Sequence, residues 1–341
     1  MIIDNQCKNC GGELSFDPAS QELKCNQCLS IVDIPEQDAI SQKKPFNELS
    51  SITTSKTKYA QYSCQSCGRK HIANLSQTVN NCPSCGSGDI SRTVNVDYIP
   101  DGIIPFKLNQ EMAIKSFKEW LNKRKFAPNN LKKLAKQNDI KGIYIPMYNF
   151  DFETFTTYSG VGIREHRHDD GRVHTTKHKF NGNRQDTFYN ISESANSIIP
   201  TYFLKDISNY DFSKIYVYRT EFLYGFFANN VNINLQQSFC NAKIAVENEI
   251  KSSIKHRENY DRIESLVCNT TYNKMLYNFL YVPVWTFNYS YNNKNYNCYI
   301  NGVTGKVSGK APKSFAKIFF TVLGIIAAVV GAGILFSQYL S

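Results

Sequence analysis

The chain has 341 residues, 42% of them hydrophobic, 20% charged and 13% aromatic, with a formal net charge of +10. It is long enough for a sizeable core, and these fractions exclude a wholly disordered or collagen-like protein. Its negative mean hydropathy excludes a polytopic membrane protein while leaving room for a single span.

Met1 to Cys7 contains neither a basic n-region nor an apolar core, so no secretory signal is expected. The first cysteines are therefore expected in a reducing compartment, where thiols bind metal more often than they form disulfides. Eight of the eleven cysteines lie in the first 85 residues. They form two matched quartets, Cys7, Cys10, Cys25 and Cys28, then Cys64, Cys67, Cys82 and Cys85. In each quartet fourteen residues separate two CxxC pairs, the spacing of a four-thiolate zinc site. Each CxxC turn sets two sulfurs near one ion, and a hairpin brings the second turn opposite. Glu13 to Phe16 and Glu22 to Lys24 suit short strands about a turn at Asp17-Pro18. Gly11, Gly12, Gly68 and Gly86 follow the knuckles, where positive φ is useful. The expectation is two closed, structural zinc ribbons, residues 1–33 and 60–96, holding two zinc ions. Two such centres each carry −2, which brings the net charge of +10 to about +6. Residues 34–59 between them read as a flexible linker.

From Asp97 to about Pro312 the chain is aromatic-rich and has few Gly or Pro clusters. Leu108 to Arg124 is expected to be helical. Asn109 would cap it, Glu111 would lie in the first turn, and Ala113, Phe117, Trp120 and Leu121 would share a face. Pro128 to Gln137 suggests a short basic helix, and Gln236 to Glu264 a long one. Ile143 to Phe152 is echoed by Leu280 to Tyr289, with Pro146 and Pro283 at matching places. This echo predicts a pseudo-duplicated α+β domain over 97–312, with the prolines on sheet edges or at bulges.

Four of the six histidines, His166, His168, His174 and His178, flank Asp169-Asp170-Gly171. A two-residue loop would pair His168 with Val173 and split the histidines between two faces. A three-residue loop with left-handed Gly171 would pair His166 with His174 and place all four on one face, where a divalent ion or a pH response becomes feasible. The neighbouring Asp169, Arg164, Arg167, Arg172, Lys177 and Lys179 also suit a plain solvated hairpin.

The 19 residues from Ile318 to Phe336 carry no charge. As a helix they span about 28 Å, close to a bilayer core. Lys306, Lys310, Lys313 and Lys317 precede them and no basic residue follows. A single-pass transmembrane helix over 317–337 is expected, with the bulk of the chain cytoplasmic and the lysines facing anionic lipid.

The chain resembles a family of bacterial membrane-anchored proteins with transcription-factor-IIB-type zinc ribbons, often labelled as similar to the primosomal helicase. Besides the ribbons, the resemblance rests on Ile104-Pro105-Phe106, Trp120-Leu121, Phe126-Ala127-Pro128, Ile143 to Phe150, Tyr281 to Trp285 and Asn301 to Gly309. It covers most of the chain. It implies a partner of phage-shock-type membrane-protection systems that recruits a peripheral coat protein to the bilayer. The helicase label does not carry over. A phosphate-binding loop reads GxxxxGK[ST], whereas Gly305 to Ala311 has the wrong spacing and ends in alanine.

No serine elbow, kinase loop, HExxH or dinucleotide glycine motif is present. Cys240, Cys268 and Cys298 sit among apolar or aromatic residues and read as buried, inert thiols. The sequence therefore predicts a non-enzymatic, tail-anchored zinc-ribbon adaptor for a protein partner, with no small-molecule substrate. The alternative is a nucleic-acid-binding zinc-ribbon protein, to which the positive charge and the stretches Lys56 to Tyr59 and Arg69 to His71 would contribute.

Overall fold

A computed structural model describes residues 6–34, 39, 42–47, 59–66, 68, 70–74, 82, 87–93, 100–128, 131, 140–168, 171, 173–197, 199–292 and 294–340. The strands are β1 (Leu14–Asp17), β2 (Glu22–Cys25), β3 (Ile31–Val32), β4 (Lys44–Pro45), β5 (Tyr59–Cys64), β6 (Lys70–Asn74), β7 (Ile90–Thr93), β8 (Gly102–Ile103), β9 (Ile140–Arg167), β10 (Val173–Ser194), β11 (Tyr216–Val217), β12 (Phe227–Asn229), β13 (Arg262–Tyr291), β14 (Lys294–Asn301) and β15 (Val307–Gly309). The helices are α1 (Gln110–Asn122), α2 (Thr201–Ile207), α3 (Leu235–Glu258) and α4 (Phe315–Leu340). Strands β1 to β3 make a small antiparallel sheet, and the other twelve form one mixed sheet. The class is α+β, as the sequence predicts.

Two very long strands organise the sheet. β9 and β13 pair antiparallel from Ile163 opposite Arg262 to Ile140 opposite Phe287. The 28 residues of β9 amount to roughly 90 Å of contour. Beyond Met147, β10 lines the other side of β9, so the distal half is a three-stranded arm. Helix α3 lies along it, burying Phe239, Ala242, Val246, Ile250 and Ile254 against Phe150, Phe152, Tyr158 and Phe180.

The echoed segments are partners at the centre of this sheet, with Tyr144 opposite Pro283 and Pro146 opposite Tyr281. β12 runs parallel to β9 at Ile143 and Tyr144. β8 runs parallel to β13 at the equivalent Leu280 and Tyr281. β10 then joins β9 from Met147, and β14 joins β13 from the equivalent Val284. Each repeat is thus a short strand, a helix, a long strand and a return strand, and each short strand pairs with the other repeat's long strand. Both helices start on an asparagine cap: Asn109 Oδ1 accepts from Met112 N and Asn234 Oδ1 from Gln237 N.

Pro146 and Pro283 are not on sheet edges and no bulge marks them. Each sits at the seam where one flanking strand ends and the next begins, so its missing N–H interrupts no ladder. Its carbonyl is used, accepting from Ala195 N and Gly302 N respectively, both at 2.9 Å.

Two other expectations shift. The long helix ends at Glu258 because Asn259 turns left-handed (φ +49°). Arg262 to Glu264 then belong to β13. The 34–59 stretch is anchored at its middle: β4 pairs with β13, and Phe46 stacks on Phe239 at 3.8 Å between centroids. Apart from Pro128 and Leu131, the Pro128 to Gln137 helix falls outside the described residues.

Candidate metal centre and membrane helix

At the N-terminus the β1–β2 hairpin pairs Leu14 with Cys25 and carries the two CxxC turns to one end. Each turn closes in the same way. Gly11 N donates to Cys7 O at 2.8 Å and Leu29 N to Cys25 O at 3.1 Å, and both donors have positive φ. The first cysteine of each turn also donates its N–H five residues ahead, Cys7 to Gly12 O (2.7 Å) and Cys25 to Ser30 O (2.9 Å). Cys7, Cys10, Cys25 and Cys28 thereby bring their Sγ atoms within 4.8 Å of one another. The closest pairs are Cys7–Cys28 at 3.6 Å and Cys10–Cys25 at 3.5 Å. Among the described residues this is the one group of three or more His, Cys, Asp or Glu with ligand atoms so gathered, and none of the described cysteines is in a disulfide.

The thiols are electrostatically unequal. The Ser30 hydroxyl and backbone lower Cys28 to about 6, and the Cys28 N–H lowers Cys25. At Cys10 the Gly12 amide lowers the value, but hydrogen bonds with Cys28 and Cys25 outweigh it and push the thiol up to about 12. Four sulfurs this close share protons rather than ionise together, and one bound cation would relieve that conflict.

This cluster is built into the main core. Cys7, Leu14, Phe16, Leu23 and Cys25 belong to the same buried cluster as Phe106, Phe222, Phe226 and Trp285. Phe16 packs edge-on against Phe222 at 5.3 Å, and its N–H donates to Tyr224 O at 2.9 Å. Gln21 Nε2 reaches Phe106 O at 2.7 Å. Cys10 and Cys28, by contrast, face solvent.

In the second quartet Cys64 and Cys82 are described and buried, whereas Cys67 and Cys85 lie outside the described residues. The local geometry repeats that of the first. Gly68, left-handed at φ +69°, donates to Cys64 O at 2.9 Å, and Cys82 N donates five residues ahead to Ser87 O at 2.7 Å. Ser66 and Ser87 share a hydrogen bond at 2.7 Å, so the two turns abut.

His71 is a residue the sequence reading did not place at this centre. Fully buried on β6, it sets Nε2 3.4 Å from Cys82 Sγ and Nδ1 2.7 Å from Asn229 Oδ1 on β12. Asn229 Nδ2 has no hydrogen-bond partner. Turning that amide over would satisfy it on His71 Nδ1 and leave Nε2–H to donate to the Cys82 sulfur. The available signal was a lone histidine between two CxxC pairs.

At the arm's tip Gly171 is left-handed (φ +81°), its N–H donates to His168 O, and His166 faces His174. This is the three-residue-loop register. His178, opposite Gly162 with no intervening bulge, shares the face of the His166–His174 pair and stacks on Tyr260. All four histidines are exposed, and their ring nitrogens do not gather as a metal group. Of the remaining cysteines, burial raises Cys298 to about 12 and also raises Cys268. Cys240 is exposed, not buried, because the helical period of α3 turns Ser238, Phe239 and Ala242 inward and Cys240 outward.

α4 is one helix long and apolar enough to cross a membrane. None of its residues from Phe315 to Ala332 is buried, so it is not the core helix that its composition would otherwise allow.

The chain is similar to the uncharacterized protein YdjG of Bacillus subtilis (strain 168), 24% identical over 347 residues, covering 98% of this chain and all of that protein. No family model matches, and no solved structure does.

Proposed function

We propose that this protein is a tail-anchored cytoplasmic adaptor of the zinc-ribbon membrane family that it resembles. Two zinc-stapled ribbons present a rigid surface to a protein partner, and α4 holds the body at the bilayer. The observation that carries this reading is the apolar helix with no buried residue from Phe315 to Ala332, attached to a body whose core is complete without it. The sulfur spacing supports zinc as the cation. A tetrahedral site with Zn–S near 2.3 Å sets its sulfurs about 3.8 Å apart, against the 3.5 and 3.6 Å of the closest pairs. The matching turns at Cys64 and Cys82 support a second ion held by Cys64, Cys67, Cys82 and Cys85. A peripheral coat protein of the phage-shock type is the expected partner, and the reading is non-enzymatic.

Fractionation and capture test it. The full chain should pellet with membranes and resist alkaline extraction, and removing residues 315–341 should release it. Purified protein should contain two zinc per chain, falling to one on Cys7→Ser/Cys10→Ser. That variant should stay in the membrane but lose its partner in a pull-down. Full-length protein in the supernatant, or zinc-free protein that still captures the partner, would refute the reading.

A further inference from the structure

The junction between body and helix is rigid. Ser314 N donates to Phe126 O at 2.8 Å, and Lys317 Nζ donates to Ala127 O at 2.7 Å. Ala127 and Leu131 are buried in the core, and Tyr289 OH donates to Lys310 O at 2.9 Å just before the helix. No slack tether separates the body from α4, so the helix fixes which surface of the body meets the bilayer.

That surface has the composition of a membrane interface. From Trp120 to Pro128 there is no acidic residue, and none from Lys306 to Leu340. At the junction Lys123, Arg124, Lys125 and Lys313 are exposed, and Phe126 is 39% exposed among them. Arg124 lies over the Trp120 ring, 3.5 Å from its centroid. Depth agrees as well. Ser314 is four residues before Ile318, where the long uncharged run begins. With Ile318 at the hydrocarbon boundary, the Phe126 carbonyl bonded to Ser314 sits about 6 Å above it. A headgroup layer is about 5–7 Å deep.

Resting on the membrane reading of α4, we propose that the α1–β9 connection, Lys123 to Phe126, is a second membrane contact. Phe126 sits in the headgroup layer of an anionic bilayer, and Lys123, Arg124 and Lys125 meet lipid phosphates. The body is thereby docked on the cytoplasmic leaflet in one orientation, resting on the foot of α4, with the β9–β10 tip at the far end of the long strands.

The test uses the full chain in phosphatidylglycerol-containing vesicles with brominated acyl chains. Phe126→Trp adds a reporter at the contact, and Val173→Trp adds one at the tip, where Val173 is 49% exposed. Both variants keep the native tryptophans, and neither site is buried. The added emission of Phe126→Trp should be quenched at least twofold more than that of Val173→Trp. The excess should shrink in phosphatidylcholine vesicles and on adding Lys123→Glu/Lys125→Glu. Equal quenching of the two reporters, in protein that floats with the vesicles, overturns the proposal. Protein that does not float at all overturns the α4 reading itself, and with it this contact.

Discussion

Replacing Phe16 by alanine tests whether the N-terminal cysteine hairpin is an independent head or part of the body. The ring is 3% exposed and lies between Phe222 at 5.3 Å and Phe226 at 6.4 Å. Truncating a buried phenylalanine costs about 3–5 kcal/mol, of which each aromatic pair contributes about 0.5–1.5 kcal/mol. The two hydrogen bonds that also hold the hairpin, Phe16 N to Tyr224 O and Gln21 Nε2 to Phe106 O, are worth about 1 kcal/mol each and cannot compensate. Trp285 lies in the same cluster, 5.0 Å from Phe106 and 5.8 Å from Phe226, so its emission reports the loss directly. In the detergent-solubilised, zinc-loaded full chain, Phe16→Ala should lower the Trp285 unfolding midpoint by about 4–7 °C, and zinc release should move with it. A Trp285 transition that stays in place while zinc leaves earlier would show that hairpin and body unfold separately, refuting their shared core.

Two further outcomes are expected. His71→Ala removes the group between Cys82 and Asn229 and leaves Asn229 wholly without a side-chain partner. With zinc bound, chelator competition should show one of two metal equivalents weakened by about 10–100-fold, and the other unchanged. Identical release of both equivalents, as in the parent, would remove His71 from the second centre. Glu193 is raised by burial, partly offset by Lys205. The folded chain therefore holds this proton more tightly than the unfolded chain, and the site's contribution to stability declines as pH rises from the ordinary carboxylate range through the raised value. Glu193→Gln should raise the thermal midpoint at pH 7.5 and leave it unchanged at pH 4; a fall at pH 7.5 would contradict the assignment.

Much of this was legible locally. The α1 cap at Asn109 and its buried face at Ala113, Phe117 and Leu121 follow from periodicity and one side chain. The turns at Cys7 and Cys25 follow from spacing. What the sequence could not supply depends on partners far along the chain. Phe46 looks like one aromatic in a polar stretch until α3 provides Phe239. His71 looks like part of a basic surface run until β12 sets Asn229 against it, 158 residues away. Pro146 and Pro283 read as edge markers because proline breaks a ladder. The duplication instead creates two interior seams, each with a place for a residue lacking an N–H.

The same buried cluster roots both ends of the molecule. Cys7, Cys25 and Phe16 belong to it, and so do Ala127, Leu131 and Tyr289 at the foot of α4. From the hairpin, aromatic contacts run through Phe226 to Phe106 and Trp285. On the other side Phe117 packs edge-on against Phe287, which stacks on Tyr289, whose hydroxyl holds the Lys310 carbonyl. Close-packed interiors transmit strain rather than absorb it. A partner seated on the exposed Cys10 and Cys28 side would therefore load the junction through packed rings, not through a hinge. The metal-competent end is held in fixed register with the helix foot, a geometry that suits display of a surface at a set height above a membrane.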